Sequence, residues 1–161
     1  MPRLDGQLLL TPCPGTQQVP MPQALAQLQL AGARAVITLM TPDELAALDL
    51  ATLGQLVDAR GMSWFHLPIA DDEAPDAAFE QAWLQALPQL TELLRDGKHL
   101  VIHCKGGSGR TGLVAAALLM ALGQPQQEAM AAVRARRPKA FTLASHRHWL
   151  DTLAHRLAQA D

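Results

Sequence analysis

The stretch HCKGGSGRTG at residues 103–112 decides the fold of this chain. It follows the apolar run Leu100–Ile102, which predicts a buried strand, and it precedes the apolar run Leu113–Leu122, which predicts a buried helix ending at Gly123. A glycine-rich turn between a strand and a helix N-terminus favours anions, because its backbone N–H groups converge and the helix dipole attracts negative charge. The stretch therefore predicts an α/β fold with an anion cradle at this turn.

The predicted cradle carries a thiol at one end, Cys104, and a guanidinium at the other, Arg110. The N–H groups and the dipole that attract phosphate also stabilise a thiolate, so we expect Cys104 to be a nucleophile. The planar fork of Arg110 can bind two phosphate oxygens at once. We expect the loop backbone to bind phosphate through Lys105, Gly106, Gly107, Ser108, Gly109 and Arg110. The alternative is a tight turn with a buried cysteine and a surface arginine.

Composition limits the class of protein. A chain of 161 residues fits a single domain, residues 1–161. The net charge of −2, the few aromatic residues and the absence of tyrosine give no indication of a nucleic-acid or membrane partner. Two cysteines, Cys13 and Cys104, are too few for a disulfide framework, and the first residues lack the pattern of a signal peptide. We expect a monomer in the reduced cytoplasm.

Strand and helix patterns alternate along the chain. Predicted strands cover residues 7–10, 35–39, 63–67 and 99–103, and predicted helices cover residues 22–30, 51–59, 76–94, 125–136 and 143–157. The stretch Thr41–Glu44 predicts another helix start, with Thr41 as cap and Glu44 completing a capping box. Pro88 is expected to split or kink its helix. This order predicts a three-layer α/β sandwich, whose mostly parallel sheet of four to five strands has helices on both faces.

The cleavage of a phosphate ester by a thiolate also needs a proton for the leaving oxygen, so a carboxylic acid must reach the cradle. The acidic loop at residues 71–76 follows a predicted strand, as does Cys104. The carboxyl ends of parallel strands meet at one edge of a sheet, where ligands bind. This loop is therefore the expected source of the acid, although each of its carboxylates is also consistent with a solvated loop.

At these residues the chain resembles the cysteine-dependent protein phosphatases of the dual-specificity branch, whose motif His-Cys-x-x-Gly-x-x-Arg-Ser/Thr-Gly it matches at every fixed position. The segments LPIAD at residues 67–71 and IHC at residues 102–104 resemble the kinase-associated phosphatase group, and the resemblance extends over residues 8–153. It implies a protein tyrosine phosphatase-like fold and a phosphomonoesterase without metal or cofactor, acting on phosphorylated proteins through a phosphocysteine. It also implies that Asp71 is the general acid, with Asp72 as the second candidate.

Further residues are expected to support the site. His103 is expected to orient the Cys104 loop by hydrogen bonding, and Thr111 to donate to the sulfur and ease its departure in the second step. Lys105 is equally consistent with charge at the pocket rim and with a solvated lysine. Cys13 is expected to be buried filler, with a disulfide to oxidised Cys104 as the alternative. A basic cluster either flanks the pocket or forms a solvated turn: Arg134, Arg136, Arg137 and Lys139.

Two departures from the family pattern concern the second step and specificity. Many members carry a glutamine before the last helix that positions the hydrolytic water, whereas residues 140–148 contain none. His146 falls nearest that position, and it either replaces the glutamine or decorates the helix. The tyrosine that stacks on a phosphotyrosine ring in the classical enzymes is also missing, because the chain contains no tyrosine.

Other functions remain open at this stage. The histidines lack paired spacing for a metal site, so none is expected. The same chemistry could act on a phosphoinositide or an RNA 5′ end. Lys105 resembles a loop lysine of the tensin-like lipid phosphatases, but Ser108 stands where these have a second lysine. A phosphate-binding module without turnover and a rhodanese-like sulfur transferase are the alternatives from other classes, and the Arg-Thr-Gly ending favours phosphate over sulfur transfer.

Overall fold

Strands and helices alternate throughout the computed structural model, which describes residues 6–160. The strands are β1 (Leu8–Thr11), β2 (Ala33–Thr38), β3 (Ser63–His66) and β4 (His99–His103). The helices are α1 (Met21–Leu30), α2 (Pro42–Ala47), α3 (Leu53–Ala59), α4 (Ala77–Arg95), α5 (Gly109–Ala121), α6 (Gln126–Arg136) and α7 (Ala144–Gln159). The predicted single domain also included residues 1–5 and 161, which lie outside the described residues.

The four strands form one sheet in the order β1-β4-β2-β3, and every neighbouring pair is parallel. Parallel neighbours need long crossover connections, which the helices supply. Residues of α1–α3 form the apolar cluster on one face of the sheet, and residues of α4–α7 form the cluster on the other. The predicted three-layer α/β sandwich is confirmed, and the sheet has four strands in the described part of the chain.

Alternate residues of the two central strands face opposite layers. Ile37 and Ile102 join the cluster of α4–α7, whereas Val36 and Val101 join the cluster of α1–α3, and all four are fully buried. Burial of a side chain of this size contributes about 1.5–3 kcal/mol, so the apolar runs of β2 and β4 stabilise both layers. Cys104, directly after β4, belongs to the cluster of α4–α7.

α5 begins at Gly109, ahead of the apolar run that starts at Leu113. The Gly112 N–H donates to the Ser108 carbonyl (2.8 Å) and so closes the first helical turn within the motif. Of the two effects expected at Pro88, the split was wrong, since α4 continues through this residue, and the kink stays a prediction. Pro88 is exposed, so water can satisfy the carbonyl that lacks a partner there. Across the described residues, no helix combines the length and apolar character needed to cross a membrane.

Candidate active site

The phosphate loop, residues 104–110, joins β4 to α5 at the carboxyl edge of the sheet. Three of its carbonyl groups bind partners outside the loop. These bonds are His103 Nδ1 to the Cys104 carbonyl (3.2 Å), the Cys13 N–H to the Lys105 carbonyl (3.1 Å) and Arg137 Nε to the Gly107 carbonyl (2.8 Å). In a planar trans peptide the C=O of one residue and the N–H of the next point in opposite directions. Because these three carbonyls point out of the loop, the N–H groups of the same peptides point into it. Convergent N–H groups of this kind form an anion site.

The sulfur of Cys104 lies inside this loop, and the residue as a whole is only 4% exposed. It accepts hydrogen bonds from the Gly107 N–H (3.2 Å) and from the Thr111 hydroxyl (3.1 Å). Both donors and the N-terminus of α5 favour a thiolate over a thiol. The contact predicted for Thr111 is present, and its effect on the second chemical step stays a prediction.

Gly107 is the loop position where glycine is required. Its φ of +81° lies in the left-handed region, and a Cβ there would lie 2.6 Å from the nitrogen of Pro12. A side chain would therefore push the phosphate loop away from the segment after β1. The glycine lets the Gly107 N–H reach the Cys104 sulfur while its carbonyl reaches Arg137.

Arg110 is almost completely buried and is held in place by Glu44. Nη1 donates to Glu44 Oε1 (2.6 Å) and to the Ile69 carbonyl (2.8 Å), and Nη2 donates to Glu44 Oε2 (2.9 Å). Burial by itself would lower the pKa of Arg110, but the hydrogen bonds and charge of Glu44 outweigh burial and raise it. The guanidinium is therefore permanently charged and oriented before any ligand arrives.

Glu44 occupies this position because α2 starts where the sequence predicts. The Thr41 hydroxyl accepts the Glu44 N–H (3.3 Å), and Glu44 Oε1 accepts the Thr41 N–H (3.0 Å), so the predicted capping box is confirmed. The pKa of Glu44 is lowered, chiefly by the hydrogen bond from Arg110. The sequence analysis identified the cap but not the ion pair, because the two residues are 66 positions apart.

The acid loop, residues 70–76, follows β3 and reaches the same edge of the sheet. Asp71 Oδ1 lies 3.5 Å from Arg110 Nη2, although the Asp71 side chain is 67% exposed. Asp72 has a φ of +61°, and its N–H donates to Asp71 Oδ1 (3.1 Å). The structure thus places the Asp71 carboxylate beside Arg110, whereas the backbone of Asp72 supports that carboxylate.

His146, in the first turn of α7, fastens the acid loop. Its ring is 1% exposed, and Nε2 lies 2.7 Å from the Glu73 carbonyl. Because a carbonyl can only accept, Nε2 carries the proton. His146 also lines the cavity above Cys104, so it contacts both the acid loop and the space where a ligand would bind.

The four residues of the basic cluster have different surroundings, and Arg137 is not a solvated residue. Its Nε binds the Gly107 carbonyl and its Nη2 binds the Leu10 carbonyl of β1, so it connects the phosphate loop to the edge strand. Arg134 lies over the ring of Phe141, 5.2 Å from its centre, and Lys139 lines the cavity. Neither predicted role describes Arg137, and no local sequence signal separates it from its basic neighbours.

A cavity of about 700 Å³ opens above the phosphate loop. Cys104 and Arg110 line it together with Asp71, Lys105 and His146. Lys105 and Lys139, both exposed, provide positive charge at its rim. Within residues 6–160, no cluster of three or more His, Cys, Asp or Glu side chains is arranged to hold a metal ion.

Cys13 is buried, as predicted, and both cysteines are free. Burial raises the pKa of the Cys13 thiol to about 12, with a smaller contribution from the charge of Cys104. Cys13 is thus protonated at neutral pH and is a poor nucleophile.

Comparison with known proteins identifies relatives of this chain. The family model described as "Tc-R-P: Polymorphic toxin system, DSP-PTPase phosphatase" matches residues 14–124. The chain is 34% identical over 96 residues to "Cyclin-dependent kinase inhibitor 3" of Homo sapiens, a match that covers 60% of this chain and 44% of that protein. The chain therefore spans less than half of the length of this curated relative.

Solved structures extend the similarity. A crystal structure of kinase-associated phosphatase with its catalytic cysteine replaced by serine superposes with a TM-score of 0.82 at 27% identity, over 94% of this chain and 87% of that one. The active form of Tk-PTP superposes with a TM-score of 0.69 at 32% identity, over 92% of this chain and 90% of that one. Together with the family match over most of the chain, these similarities show that it belongs to the DSP-PTPase family of cysteine-based dual-specificity and tyrosine phosphatases.

Proposed function

We propose that the chain is a phosphomonoesterase that removes phosphate from phosphotyrosine or from phosphoserine and phosphothreonine in proteins, through a phosphocysteine intermediate. The observation that carries the proposal is the Cys104 sulfur, which lies inside a phosphate loop and accepts bonds from Gly107 and Thr111. A thiolate in this position attacks phosphorus in line with the leaving oxygen, while the loop N–H groups stabilise the equatorial oxygens.

The donor count of Arg110 supports its role as the phosphate clamp. A guanidinium has five N–H groups, and Glu44 and the Ile69 carbonyl accept three of them. The remaining two, on Nε and Nη2, form one edge of the planar group. That edge matches two oxygens of a phosphate, so Glu44 orients the arginine without competing for the edge that binds substrate.

The position of Asp71 suits a general acid. Its carboxylate lies 3.5 Å from Arg110 Nη2, at the edge left for phosphate. From there Asp71 protonates the leaving oxygen in the first step and takes a proton from water in the second. The Thr111 hydroxyl stabilises the sulfur when it leaves as a thiolate. Asp72 remains the second candidate for the acid.

The hydrolytic water needs a partner, for which His146 remains the candidate. Nε2 is bound to the Glu73 carbonyl, which leaves the other ring nitrogen, Nδ1, to hydrogen-bond a water. We also propose a phosphorylated protein or peptide as the substrate, a monomeric state and a cytoplasmic location. The relatives' names refer to kinases, and Lys105 and Lys139 provide cationic charge beside the cavity for a phosphorylated ligand.

A substrate panel tests the proposal. Wild-type protein and Cys104→Ser are assayed, with chelator present, on an aryl phosphate, phosphopeptides, phosphoinositides and 5′-triphosphorylated RNA. We expect the wild type to hydrolyse the aryl phosphate and phosphopeptides, and Cys104→Ser to lose turnover but still bind phosphopeptide. Preference for a phosphoinositide or RNA would contradict the substrate class. Phosphopeptide binding by a folded wild type without any hydrolysis would instead indicate a binding module.

A further inference from the structure

A line of hydrogen bonds runs across three strands to the phosphate loop. It begins at Trp64 in the edge strand β3, whose Nε1 lies 2.8 Å from Thr38 Oγ1 in β2. The same Thr38 oxygen lies 2.7 Å from His103 Nε2 in β4, and His103 Nδ1 lies 3.2 Å from the carbonyl oxygen of Cys104. Thr38 and His103 are direct partners in the parallel pairing of β2 and β4. The line therefore ends at the backbone carbonyl of Cys104, the proposed nucleophile.

The direction of every bond in this line follows from its two ends. A carbonyl can only accept and an indole N–H can only donate. His103 Nδ1 must therefore carry a proton, which it donates to Cys104. His103 is fully buried, and burial, with smaller contributions from the charges of His66 and Arg110, lowers its pKa to about 4. At neutral pH the ring thus holds one proton, Nε2 is bare, and the Thr38 hydroxyl donates to it.

We infer that Thr38 is a positioning residue for the nucleophile, Cys104, and that Trp64 supports Thr38. Thr38 fixes the orientation and the tautomer of the His103 ring, and the ring in turn fixes the carbonyl of Cys104. The inference rests on the proposed phosphatase function. Beyond the contact between His103 and the loop, Thr38 and Trp64 determine which ring nitrogen of His103 carries the proton that it donates.

The position of Thr38 in the core supports this role. It is fully buried, and the other inward residues of β2, such as Val36 and Ile37, are apolar. A buried hydroxyl is costly unless it is hydrogen-bonded, and valine has nearly the same shape without that cost. The hydroxyl of Thr38 accepts from Trp64 and donates to His103, so both of its functions are used.

The bond from His103 controls the orientation of one peptide group, the one between Cys104 and Lys105. While His103 holds the Cys104 carbonyl outward, the N–H of Lys105 points into the loop, where phosphate binds. If the ring of His103 were free to turn, the carbonyl dipole could rotate toward the thiolate and the phosphate, and both negative charges would be destabilised. Loss of the Thr38 hydroxyl should therefore weaken phosphate binding in the loop without removing any group that touches substrate.

The experiment compares Thr38→Val with Thr38→Ser. The first keeps the volume and removes the hydroxyl, and the second restores a hydroxyl. The affinity for inorganic phosphate is measured for each at one pH, from the protection that phosphate gives Cys104 against iodoacetate. We expect the phosphate Kd of Thr38→Val to rise roughly 3–10-fold, the size of one weakened buried hydrogen bond, and Thr38→Ser to recover most of the affinity. Thr91→Val removes another buried threonine hydroxyl, in α4, and should leave the phosphate Kd unchanged.

A spectroscopic measurement tests the same line of bonds without any substitution. The ¹⁵N shifts of His103 in the wild type at pH 7 should show a neutral ring protonated at Nδ1, with Nε2 hydrogen-bonded. In Thr38→Val the Nε2 shift should move to that of a free ring nitrogen. A wild-type ring protonated at Nε2 would overturn the inference, as would a phosphate Kd for Thr38→Val equal to that of the wild type.

A second variant and a measurement that is independent of catalysis complete the test. If Thr38→Val does not fold, Trp64→Phe removes only the indole donor and keeps a ring to stack on His66, 4.9 Å away. We expect a smaller rise of the phosphate Kd, and an unchanged Kd would overturn the inference. The NMR measurement is independent of catalysis. A wild type that does not hydrolyse phosphate esters would refute the proposed function, while the tautomer of His103 would still test the bonds.

Discussion

The phosphate loop and the acid loop meet at one edge of the sheet but are built in opposite ways. The phosphate loop has carbonyls bound to three other parts of the chain, and its Cys104 and Arg110 are almost fully buried. In the acid loop Asp71 is mostly exposed, and the loop is fastened to the rest of the chain at Arg110 and at His146. In the proposed function the phosphoryl group is the same in every substrate, which suits a preorganised site. The leaving group would differ between substrates, and Asp71, the residue proposed to protonate it, sits in a more open loop.

The largest difference in rate between the two loops is expected from substitution of Asp71, the proposed general acid. Asp71→Asn should lower the rate on an alkyl phosphate by roughly 10²–10⁴-fold, the contribution of a positioned general acid, and by less on an aryl phosphate whose leaving group needs little protonation. Steady-state kinetics on both substrates measure this difference. Asp72→Asn is the matched control in the same loop. If Asp72→Asn shows this pattern and Asp71→Asn does not, the general acid is Asp72 and not Asp71.

The second prediction concerns the preorganised arginine. Arg110→Lys keeps the charge but loses the planar fork, so both the pair with Glu44 and the phosphate-binding edge are lost. We expect kcat/KM to fall by roughly 10²–10³-fold on alkyl and aryl phosphates alike, since the phosphoryl group is common to both. Arg147→Lys, at an exposed arginine in α7, is the control. Activity within a few-fold of wild type for Arg110→Lys would show that Arg110 is not the phosphate clamp.

The third prediction tests support of the phosphate loop from behind. Arg137→Gln removes the bonds to the Gly107 and Leu10 carbonyls, so the loop peptide after Gly107 loses its outward anchor. We expect roughly a tenfold loss of kcat/KM and weaker inhibition by inorganic phosphate, the size of one charge-assisted hydrogen bond. Arg136→Gln makes the same change of charge at an exposed neighbour. Equal losses in the two variants would mean that charge, and not the anchor, is responsible.

A smaller effect is expected at the fastening of the acid loop. His146→Ala removes the bond to the Glu73 carbonyl and the ring that can orient water, so hydrolysis of the phosphocysteine should slow several-fold. Rapid mixing with an aryl phosphate should then show a burst of phenol equal to the enzyme concentration. His148→Ala, exposed on the same helix, is the control. An unchanged burst and an unchanged steady-state rate would remove His146 from the second step.

The last prediction concerns the stability of the fold and its dependence on pH. The pKa of His103 is about 4 in the folded chain, well below its ordinary value of 6.5, so the unfolded chain binds more protons between these values. The free energy of unfolding should therefore fall by roughly 3 kcal/mol as the pH drops from 6.5 to 4. The lowered pKa of Glu44 adds a further loss below its ordinary value. Urea denaturation at several pH values measures the slope, which His103→Gln should flatten. A flat wild-type profile over this range would contradict the prediction.

Several long-range contacts of the site could not have been predicted from the chain. Arg137 and Leu10 are 127 positions apart, and His146 and Glu73 are 73 apart. Each of these residue types is common on protein surfaces, and nothing in its immediate neighbours marks the partner. The contacts form because the crossover connections bring β1, the acid loop and the start of α7 to one edge of the sheet.

The sequence by itself determined the features that depend on neighbouring residues: the apolar strands, the capping box at Thr41, the turn at residues 103–112 and hence the parallel α/β fold with its anion cradle. Only the tertiary structure decided which side chains complete that cradle. The pair of Glu44 with Arg110 and the line from Trp64 to Cys104 join separate elements, as does the anchor at Arg137. Local patterns arise from the geometry of one helix, strand or turn, whereas the partners of a buried polar group depend on how all the layers pack.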